Sequence, residues 1–510
     1  MNNLEAFRHH MASINDLMNT MSVLNWDARV TMPAGGSKTR AQQLGTLAEI
    51  VRERFDSDTT RRLIDKAEKE VADLPEDAYA VREVRQAQEA LSVLSRVPVE
   101  LSAELVRLGS LSQPVWAEAK ATQNFAYFAP SLTQMVALTR EFADAIGYEV
   151  HPYDAMLKQY EPGMTAATLE TLFAELRTTL LPLLERVRDS PAKAPTHLLK
   201  GIFPKEKQRA FALEIAEKFG FDPQRGRVDE SHHPFEMSFT RNDVRMTTRY
   251  NERSLPGAVF GLFHETGHAL YEQNIDPSLT RTVLTTDLLG MYAVGGTSFG
   301  LHESQSRLWE NMVGRSRTFW HNHFPALQRT FPEALAGVDA ETFYRAVNDV
   351  KPSLIRVEAD EVTYNLHIML RTELEMSLLD GSVGVAELPD AWNARMEAYL
   401  GLTPSDDSVG VLQDIHWSHG HIGTFPTYTL GNVMAAQFFA AARQQVPGLD
   451  ESLERADYEP LRAWLTDNLY RHGRAYTPAE LLERSTGQAL AAGPLITYLK
   501  DKYEALYPQA

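Results

Sequence analysis

Two histidines and a glutamate form the pattern in this sequence that is most suggestive of chemistry. The stretch FGLFHETGHALYEQN, residues 260–274, carries His264, Glu265 and His268. Residues four apart on a helix share a face, so the two imidazoles can bind one metal ion. Glu265 lies about 100° around the helix from His264, where it can take a proton from activated water. The pattern predicts metal-assisted hydrolysis, and the alternative is two surface histidines on a structural helix.

A third protein ligand is needed, and the chain contains no cysteine, so this ligand must be His, Asp or Glu. Small residues at 296–298 predict the start of a second helix in GTSFGLHESQSRLWENMVGRS, and Gly314 predicts its end. Spacing favours Glu303, in the early turns of this helix, and leaves Glu310 as the alternative. Glu272 is disfavoured because it belongs to the same helix as both histidines.

The elements that position these residues are predicted to be mainly helical. A helix around the histidine pair is expected to begin at Pro256 and to end at Asn274. Apolar residues recur at steps of three and four in five further segments: 7–18, 78–108, 130–147, 165–187 and 204–220. The exception is HPFEMSFTRNDVRMTTRY, residues 233–250, whose alternation around a turn predicts a β-hairpin. We expect one large helical domain, residues 1–510, with two lobes around a cleft.

The composition of the chain excludes several classes of function. Fifty Lys and Arg residues against 68 Asp and Glu residues give a net charge of −18, which argues against nucleic acid or an anionic membrane as a partner. The absence of cysteine rules out disulfides and thiol nucleophiles. No apolar run is long enough to predict a membrane span, and the N-terminus lacks the pattern of an export signal. The predicted location is therefore cytoplasmic.

A set of ordered motifs resembles the carboxypeptidase Taq family of zinc metallocarboxypeptidases over nearly the whole chain. Besides HETGH and HESQ, the motifs are WDARVTMPAGGSKTRAQQLGTL (26–47), HPF (233–235), DVRMTTRY (243–250), IRVEADEVTYNLHIMLR (355–371), GVLQDIHW (410–417) and FPTYTLGN (425–432). Several motifs in order are far more specific than HExxH alone. The connection between HETGH and HESQ is longer than the resemblance leads us to expect.

The resemblance implies an all-α, neurolysin-like fold with a deep cleft between two lobes and a small β-hairpin near the active site. It implies a homodimer that acts on peptides. It also implies that His264, His268 and Glu303 hold one zinc ion, with cobalt or another divalent ion as the alternative metal. Glu265 is then the general base.

Cutting at a chain end requires a group that binds the terminal charge, and an arginine can hold a carboxylate with two hydrogen bonds. We expect a helix from Pro352 to about Asp380 with one polar face, formed by Arg356, Asp360, Tyr364, His367 and Arg371. The resemblance supports Arg356 as a substrate-binding residue, and a structural salt-bridge network is the alternative. Arg245 is a second candidate, because the hairpin could close the end of the groove, where an exposed strand could also pair with the peptide.

Hydrolysis of an amide passes through a tetrahedral oxyanion, which preorganised donors stabilise. The histidine-rich stretch at 413–428 offers His416 and Tyr428 for this role, because both lie inside matched motifs. For His419 and His421 we favour a structural or rim position, and for Trp417 a packing position.

The sequence therefore predicts a zinc metallocarboxypeptidase that releases single C-terminal residues from peptides with broad specificity. Two alternatives remain at this point. One is a neurolysin-like oligopeptidase that cuts internally, and the other is a non-catalytic helical scaffold with a vestigial metal site.

Overall fold

The chain folds into two compact units, seen in a computed structural model that describes residues 2–285 and 298–509. The first unit comprises residues 1–92, 194–348 and 434–490, and the second comprises residues 93–193, 349–433 and 491–510. Each unit therefore draws on separate stretches of the sequence. Residues 296 and 297, where the second helix was predicted to start, lie outside the described residues.

The first unit is built mainly from helices. These are α1 (Asn3–Val30), α2 (Ser37–Phe55), α3 (Asp58–Val71), α4 (Tyr79–Arg96), α9 (Lys205–Phe219), α10 (Pro256–Gln273), α11 (Phe299–Arg307), α12 (Arg317–Thr330), α13 (Ala340–Val347), α17 (Leu449–Glu454), α18 (Glu459–Asn468) and α19 (Pro478–Thr486). The second unit contains α5 (Val99–Ala121), α6 (Phe125–Ile146), α7 (Pro152–Tyr160), α8 (Ala166–Asp189), α14 (Thr363–Asp380), α15 (Leu388–Leu400) and α20 (Gly493–Leu506). Two helices are divided between the units: the last residues of α4, 93–96, belong to the second unit, and α16 (Pro426–Gln445) belongs to the second unit up to residue 433 and to the first unit from residue 434.

A small sheet in the first unit supports the helix that carries the histidine pair. Within the described residues its strands are β1 (Gly226–Glu230), β2 (Glu236–Thr240) and β3 (Asp243–Thr248), in the order β1-β3-β2. Strands β2 and β3 form the predicted antiparallel hairpin, and β1 adds a parallel partner that the sequence did not predict. The segment GRVDE is short and polar, so it carries little strand signal. Apolar residues of α9, β1, β3 and α10 pack into one core: Ala212, Ala216, Val228, Val244, Met246, Leu262 and Ala269.

Helices α10 and α11 cross at close range. Pro256 occupies the first turn of α10, where its missing N–H costs nothing, and the helix ends at Asn274 as predicted. The Ser298 hydroxyl accepts a hydrogen bond from the Leu301 backbone N–H at 2.8 Å and caps α11. After Arg307 the chain continues as a π-helix, Leu308–Val313, which ends at Gly314. Helices α10 and α11 therefore carry both histidines and Glu303 into the interior of one unit.

The core of the second unit surrounds α14. Almost every residue of this helix is buried, and it contacts α6, α7, α8 and α15. Because it is enclosed on all sides, its polar residues must find partners inside the protein.

Three of the predicted helices have different boundaries in the structure. The segment 78–108 is not one helix, because Pro98 separates α4 from α5. Helix α6 begins at Phe125 rather than Pro130, since the Asp407 carboxylate accepts the Phe125 N–H at 2.9 Å. Helix α14 begins at Thr363, where the Asp360 carboxylate accepts the backbone N–H at 2.9 Å.

The mainly helical fold class with a small sheet is confirmed. In the part of the chain that the structure describes, no helix combines the length and the apolar character that crossing a bilayer requires.

Candidate active site

His264, His268 and Glu303 come together in the first unit. One donor atom from each lies within 4.8 Å of the other two, and among the described residues this is the group that could hold a metal ion. The Glu303 Oε2 atom lies 3.5 Å from His264 Nε2 and 3.4 Å from His268 Nε2. A tetrahedral ion with bonds of about 2.0–2.2 Å separates its ligand atoms by about 3.3–3.6 Å. The spacing of these donor atoms therefore fits a divalent cation.

Metal binding requires neutral imidazoles and an ionised carboxylate, and the protonation states of His268 and Glu303 meet this requirement. Burial acts to lower the pKa of His264, but the charge of Glu303 and the hydrogen bond with Glu310 outweigh it and raise that pKa. Burial, aided by the neighbouring His302 and His264, lowers the pKa of His268 to about 3. Burial also acts to raise the pKa of Glu303, but the charges of Arg307 and His264 and a hydrogen bond with His268 outweigh it and lower that pKa well below its usual range. The Arg307 Nε donates to Glu303 Oε1 at 2.7 Å, so Oε2 remains directed at the histidines.

The outer nitrogen of each histidine has its own partner. His264 Nδ1 lies 3.0 Å from Glu310 Oε2, and His268 Nδ1 lies 2.6 Å from His302 Nδ1. Both Nε2 atoms therefore point towards Glu303, while Glu310 and His302 hold the Nδ1 atoms on the far side of the two rings. Glu310 was the alternative third ligand from spacing, and the structure places it on the opposite side of the His264 ring.

Glu265 lies on α10 beside these residues and is almost fully buried. Burial, together with the charges of Glu303 and Glu310, raises its pKa to about 7, against the lowering effect of His264. A carboxylate with a pKa near neutrality is suited to taking up a proton and giving it back.

Arg356, His416 and Tyr428 form a second cluster, in the second unit. Arg356 lies in a short 3-10 turn, Arg356–Glu358, before α14 rather than in the helix as predicted. Its Nη2 donates to Asp414 Oδ1 at 2.8 Å and its Nη1 donates to the Tyr364 hydroxyl at 3.1 Å. The guanidinium carbon lies 5.4 Å from the centre of the Tyr428 ring.

Arg371 adds a second buried cation to this cluster. Its Nε donates to Asp414 Oδ2 at 2.7 Å, so a single carboxylate bridges two guanidinium groups. Its Nη2 is buried and has no hydrogen-bond partner among the described residues. Burial lowers the pKa of His416 to about 3, so this imidazole is neutral at physiological pH. Two arginines and one aspartate therefore leave one net positive charge in a buried setting.

His416 and Tyr428 contact each other, with His416 Nε2 3.4 Å from the Tyr428 hydroxyl. His416 lies in a 3-10 turn, His416–His419, and Tyr428 lies in the first turn of α16. Of the other residues in this stretch, Trp417 is buried and packs as predicted, with its Nε1 donating to Glu375 Oε1 at 2.9 Å. His419 and His421 are exposed and stack on each other.

Arg245 lies on β3 with its side chain already paired. Its Nε and Nη2 atoms donate to the two carboxylate oxygens of Asp243 at 2.8 and 2.9 Å. Its guanidinium also lies over the Phe239 ring at 4.7 Å. The fork that would bind a terminal carboxylate is therefore engaged by Asp243.

The chain is similar to a known protein family over most of its length. The family model for the carboxypeptidase Taq (M32) metallopeptidases matches residues 6–503. The chain belongs to this family.

Similar M32 proteins are known from several organisms. The chain is 39% identical to Carboxypeptidase 1 of Bacillus subtilis over 97% of this chain and 96% of that protein. It is 41% identical to Thermostable carboxypeptidase 1 of Thermus thermophilus over 94% of each chain. The crystal structure of an M32 carboxypeptidase from Deinococcus radiodurans superimposes with a TM-score of 0.94 at 41% identity, covering 99% of this chain and 100% of that one.

The predicted metallocarboxypeptidase function is confirmed, and this M32 protein is a hydrolase that acts on peptides with a divalent metal. The internally cutting oligopeptidase and the non-catalytic scaffold are not favoured.

Sequence reasoning missed the partners that surround the candidate residues. His302 stands next to Glu303 in HES, and Asp414 stands two residues before His416 in QDIHW. Both are polar residues inside matched motifs, which was the available signal. Their roles depend on contacts between distant segments, and a single sequence does not specify such contacts.

Proposed function

We propose that this M32 metallocarboxypeptidase binds one zinc ion through His264, His268 and Glu303 and removes single C-terminal residues from peptides with broad specificity. The observation that carries the proposal is the convergence of both Nε2 atoms on Glu303 Oε2, at 3.5 and 3.4 Å. Two imidazoles and one carboxylate are the ligand set of many catalytic zinc sites. Cobalt or another divalent ion remains an alternative occupant.

A cation at this site supplies Lewis-acid polarisation of the scissile carbonyl and lowers the pKa of water. Glu265 accepts a proton from the attacking water as the new C–O bond forms at the carbonyl carbon. The same carboxyl then delivers a proton to the leaving amine as the C–N bond breaks. A pKa near 7 lets Glu265 perform both transfers at neutral pH.

Tyr428 and His416 are proposed to stabilise the oxyanion. Tyr428 offers a hydroxyl donor, and the neutral His416 ring lies 3.4 Å from that hydroxyl and restricts its orientation. Donors of this kind contribute about 100- to 1000-fold in kcat when they are preorganised.

Arg356 is proposed to bind the C-terminal carboxylate of the substrate. The net positive charge that Arg356 and Arg371 retain beside Asp414 favours an anion, and burial strengthens the interaction. Each terminal nitrogen of Arg356 has one described partner and therefore keeps a second N–H for a ligand. Arg245 is the weaker candidate for this role, because Asp243 occupies its fork.

We propose that both units act as one catalytic domain and that the chain forms a homodimer. We further propose that it has a cytoplasmic location and no nucleic-acid or membrane partner, in keeping with its net charge of −18.

The test is a peptide ladder measured by mass spectrometry, with matched peptides that end in a free carboxylate or an amide. The expected result is stepwise loss of one residue at a time from the free acids, little cleavage of the amides, and loss of all cleavage with a chelator. Metal analysis of the purified protein should give one zinc per chain. Internal cleavage that ignores amidation would contradict the proposal.

A further inference from the structure

His302, the residue before Glu303, lies against a candidate metal ligand. The Nδ1 atoms of His302 and His268 are 2.6 Å apart, and the two rings are inclined by only 15° with centroids 4.6 Å apart. His302 Nε2, on the other side of the ring, lies 2.9 Å from Glu272 Oε1. The imidazole of His302 is therefore held at both nitrogens.

The hydrogen bonds through His302 run in one direction. If His268 binds a cation through Nε2, its Nδ1 carries the proton and donates to His302 Nδ1. Because Nδ1 of His302 accepts this hydrogen bond, its own proton lies on Nε2 and is donated to the Glu272 carboxylate. Only this arrangement pairs a donor with an acceptor at both hydrogen bonds of His302, the one from His268 and the one to Glu272.

The Glu272 carboxylate accepts the last of these hydrogen bonds and is itself held in place by other residues. It is 5% exposed, and Arg474 Nη2 lies 2.7 Å from its Oε1 atom. Burial acts to raise the pKa of Glu272, but the charge of Arg474 and the hydrogen bond with His302 lower it below its usual range. The Tyr271 ring packs on His302 with centroids 5.1 Å apart, and its hydroxyl donates to the Gly473 carbonyl at 2.7 Å. The Glu272 carboxylate and the His302 ring are therefore both held in position.

The two candidate histidine ligands are supported in different ways. His264 Nδ1 contacts the carboxylate of Glu310 directly at 3.0 Å, whereas the imidazole of His302 stands between His268 and Glu272. A direct carboxylate adds negative charge next to the ligand, and an intervening imidazole keeps that charge one ring farther away. Outer partners of this kind set the orientation and tautomer of a metal-binding histidine.

We propose that His302 is a positioning residue that, through Glu272 and Arg474, holds the His268 ring and its Nδ1–H tautomer in place for metal binding. The proposal rests on the proposed role of His268 as a ligand. It predicts that His302 governs metal affinity although it does not itself bind the cation.

The test compares His302→Phe, His302→Gln, His268→Ala and a control, His10→Gln, in the full chain. His10 is a half-buried histidine in the same unit with its Nε2 2.7 Å from the Thr60 hydroxyl, so His10→Gln makes the same change of side chain at a hydrogen-bonded histidine that does not contact the candidate ligands. Zinc affinity of the metal-free proteins is measured by competition with a chelator, and folding is checked by thermal unfolding without metal. A ¹⁵N NMR spectrum of the zinc-loaded wild type reports the tautomer of His302.

His302→Phe should weaken zinc binding by about 10- to 100-fold, because the ring fills the space but neither accepts nor donates. His302→Gln should recover part of the affinity, since an amide offers both an acceptor and a donor. His10→Gln should bind zinc like the wild type, and the NMR spectrum should show His302 protonated on Nε2 alone.

The outcomes separate this inference from the proposed function. If His268→Ala binds zinc as tightly as the wild type, His268 is not a ligand and the proposed metal site is wrong. If His268→Ala loses zinc while both His302 variants fold and keep wild-type affinity, the metal site stands and the positioning role is overturned. A His302 protonated on Nδ1 would also overturn it.

Discussion

Gly267 packs directly against the backbone of Ser306, where α10 crosses α11. A Cβ atom at position 267 would lie 2.5 Å from the Ser306 Cα, which is far inside van der Waals contact. The absence of a side chain at Gly267 therefore sets the separation of the helix that carries both histidines from the helix that carries Glu303.

Gly267→Ala should force the two helices apart and impair metal binding. We expect a loss of about 1–3 kcal/mol in stability from overpacking, and at least a tenfold loss of zinc affinity because Glu303 is displaced. Gly261→Ala, on the same helix, is the matched control, since its Cβ would meet the Thr248 hydroxyl at an ordinary 3.5 Å. Chelator competition and thermal unfolding measure both effects. Equal zinc affinity in the two variants would show that the helix separation does not matter.

Glu265→Gln should retain zinc and lose turnover. The amide is almost the same size as the carboxylate but cannot take up a proton, so kcat should fall by about 100- to 10,000-fold. The metal content, measured on the same sample, should remain at one ion per chain. A variant that keeps substantial activity with full metal content would remove Glu265 from the mechanism.

Arg356→Lys should reduce the preference for a free C-terminus. A lysine keeps the charge, but its single ammonium cannot reproduce the planar set of donors with which Arg356 holds Asp414 and Tyr364 while it binds a substrate carboxylate. A charged hydrogen bond contributes about 1.5–3 kcal/mol, so kcat/KM for free acids should fall by about 10- to 150-fold.

The comparison that decides this role uses amidated peptides and Arg245→Lys. Arg356→Lys should leave the slow cleavage of amides nearly unchanged, while Arg245→Lys should keep the preference of the wild type for free acids. The opposite pattern would assign the carboxylate to Arg245 instead.

Glu375 should make the stability of the protein depend on pH. Burial raises its pKa to about 7, although hydrogen bonds from Tyr153, Gly423 and Trp417 act to lower it. A carboxyl group whose pKa is raised on folding stabilises most below its unfolded pKa of about 4.5. That contribution is lost as the pH rises through about 7, at a cost on the order of 3 kcal/mol.

Glu375→Gln does not titrate, so its stability relative to the wild type should increase between pH 4.5 and pH 8. Denaturant unfolding of both proteins across this range measures the difference. A difference that stays constant with pH would show that Glu375 does not change its charge in this window.

The sequence specified the helical class, the boundaries of α10 and the β2–β3 hairpin, because each has a local signature in periodicity or in Pro and Asn placement. It did not specify the separation of α4 from α5, although Pro98 was visible, because the apolar period continues through the break. The start of α14 was also missed, because Asp360 interrupts the helix through hydrogen bonds that the pattern of side chains does not record.

The residues of the candidate site were predictable where they lie close together in one motif. His264, Glu265 and His268 lie within one helical turn and a half, so their spacing alone defined them. Glu310 and Glu272 were visible only as less favoured metal ligands, and Asp414 only as an acidic residue inside a motif, so the sequence did not predict the contacts that they make. Their importance depends on burial beside a partner from another segment, and only the folded structure reveals it.

The π-helix at Leu308–Val313 makes this region sensitive to the deletion of a residue. Such a wide turn is less stable than an α-helical one and usually persists where it serves a site. Deleting one residue between Arg307 and Gly314 would replace the wide turn with α-helical turns and would change the direction in which Glu310 projects from the helix. Arg315 would then leave Glu310, which it now contacts at 3.1 Å, and the support of His264 would be lost. Selection for thermal stability alone would therefore favour a shorter turn that stabilises the helix and abolishes metal-dependent hydrolysis.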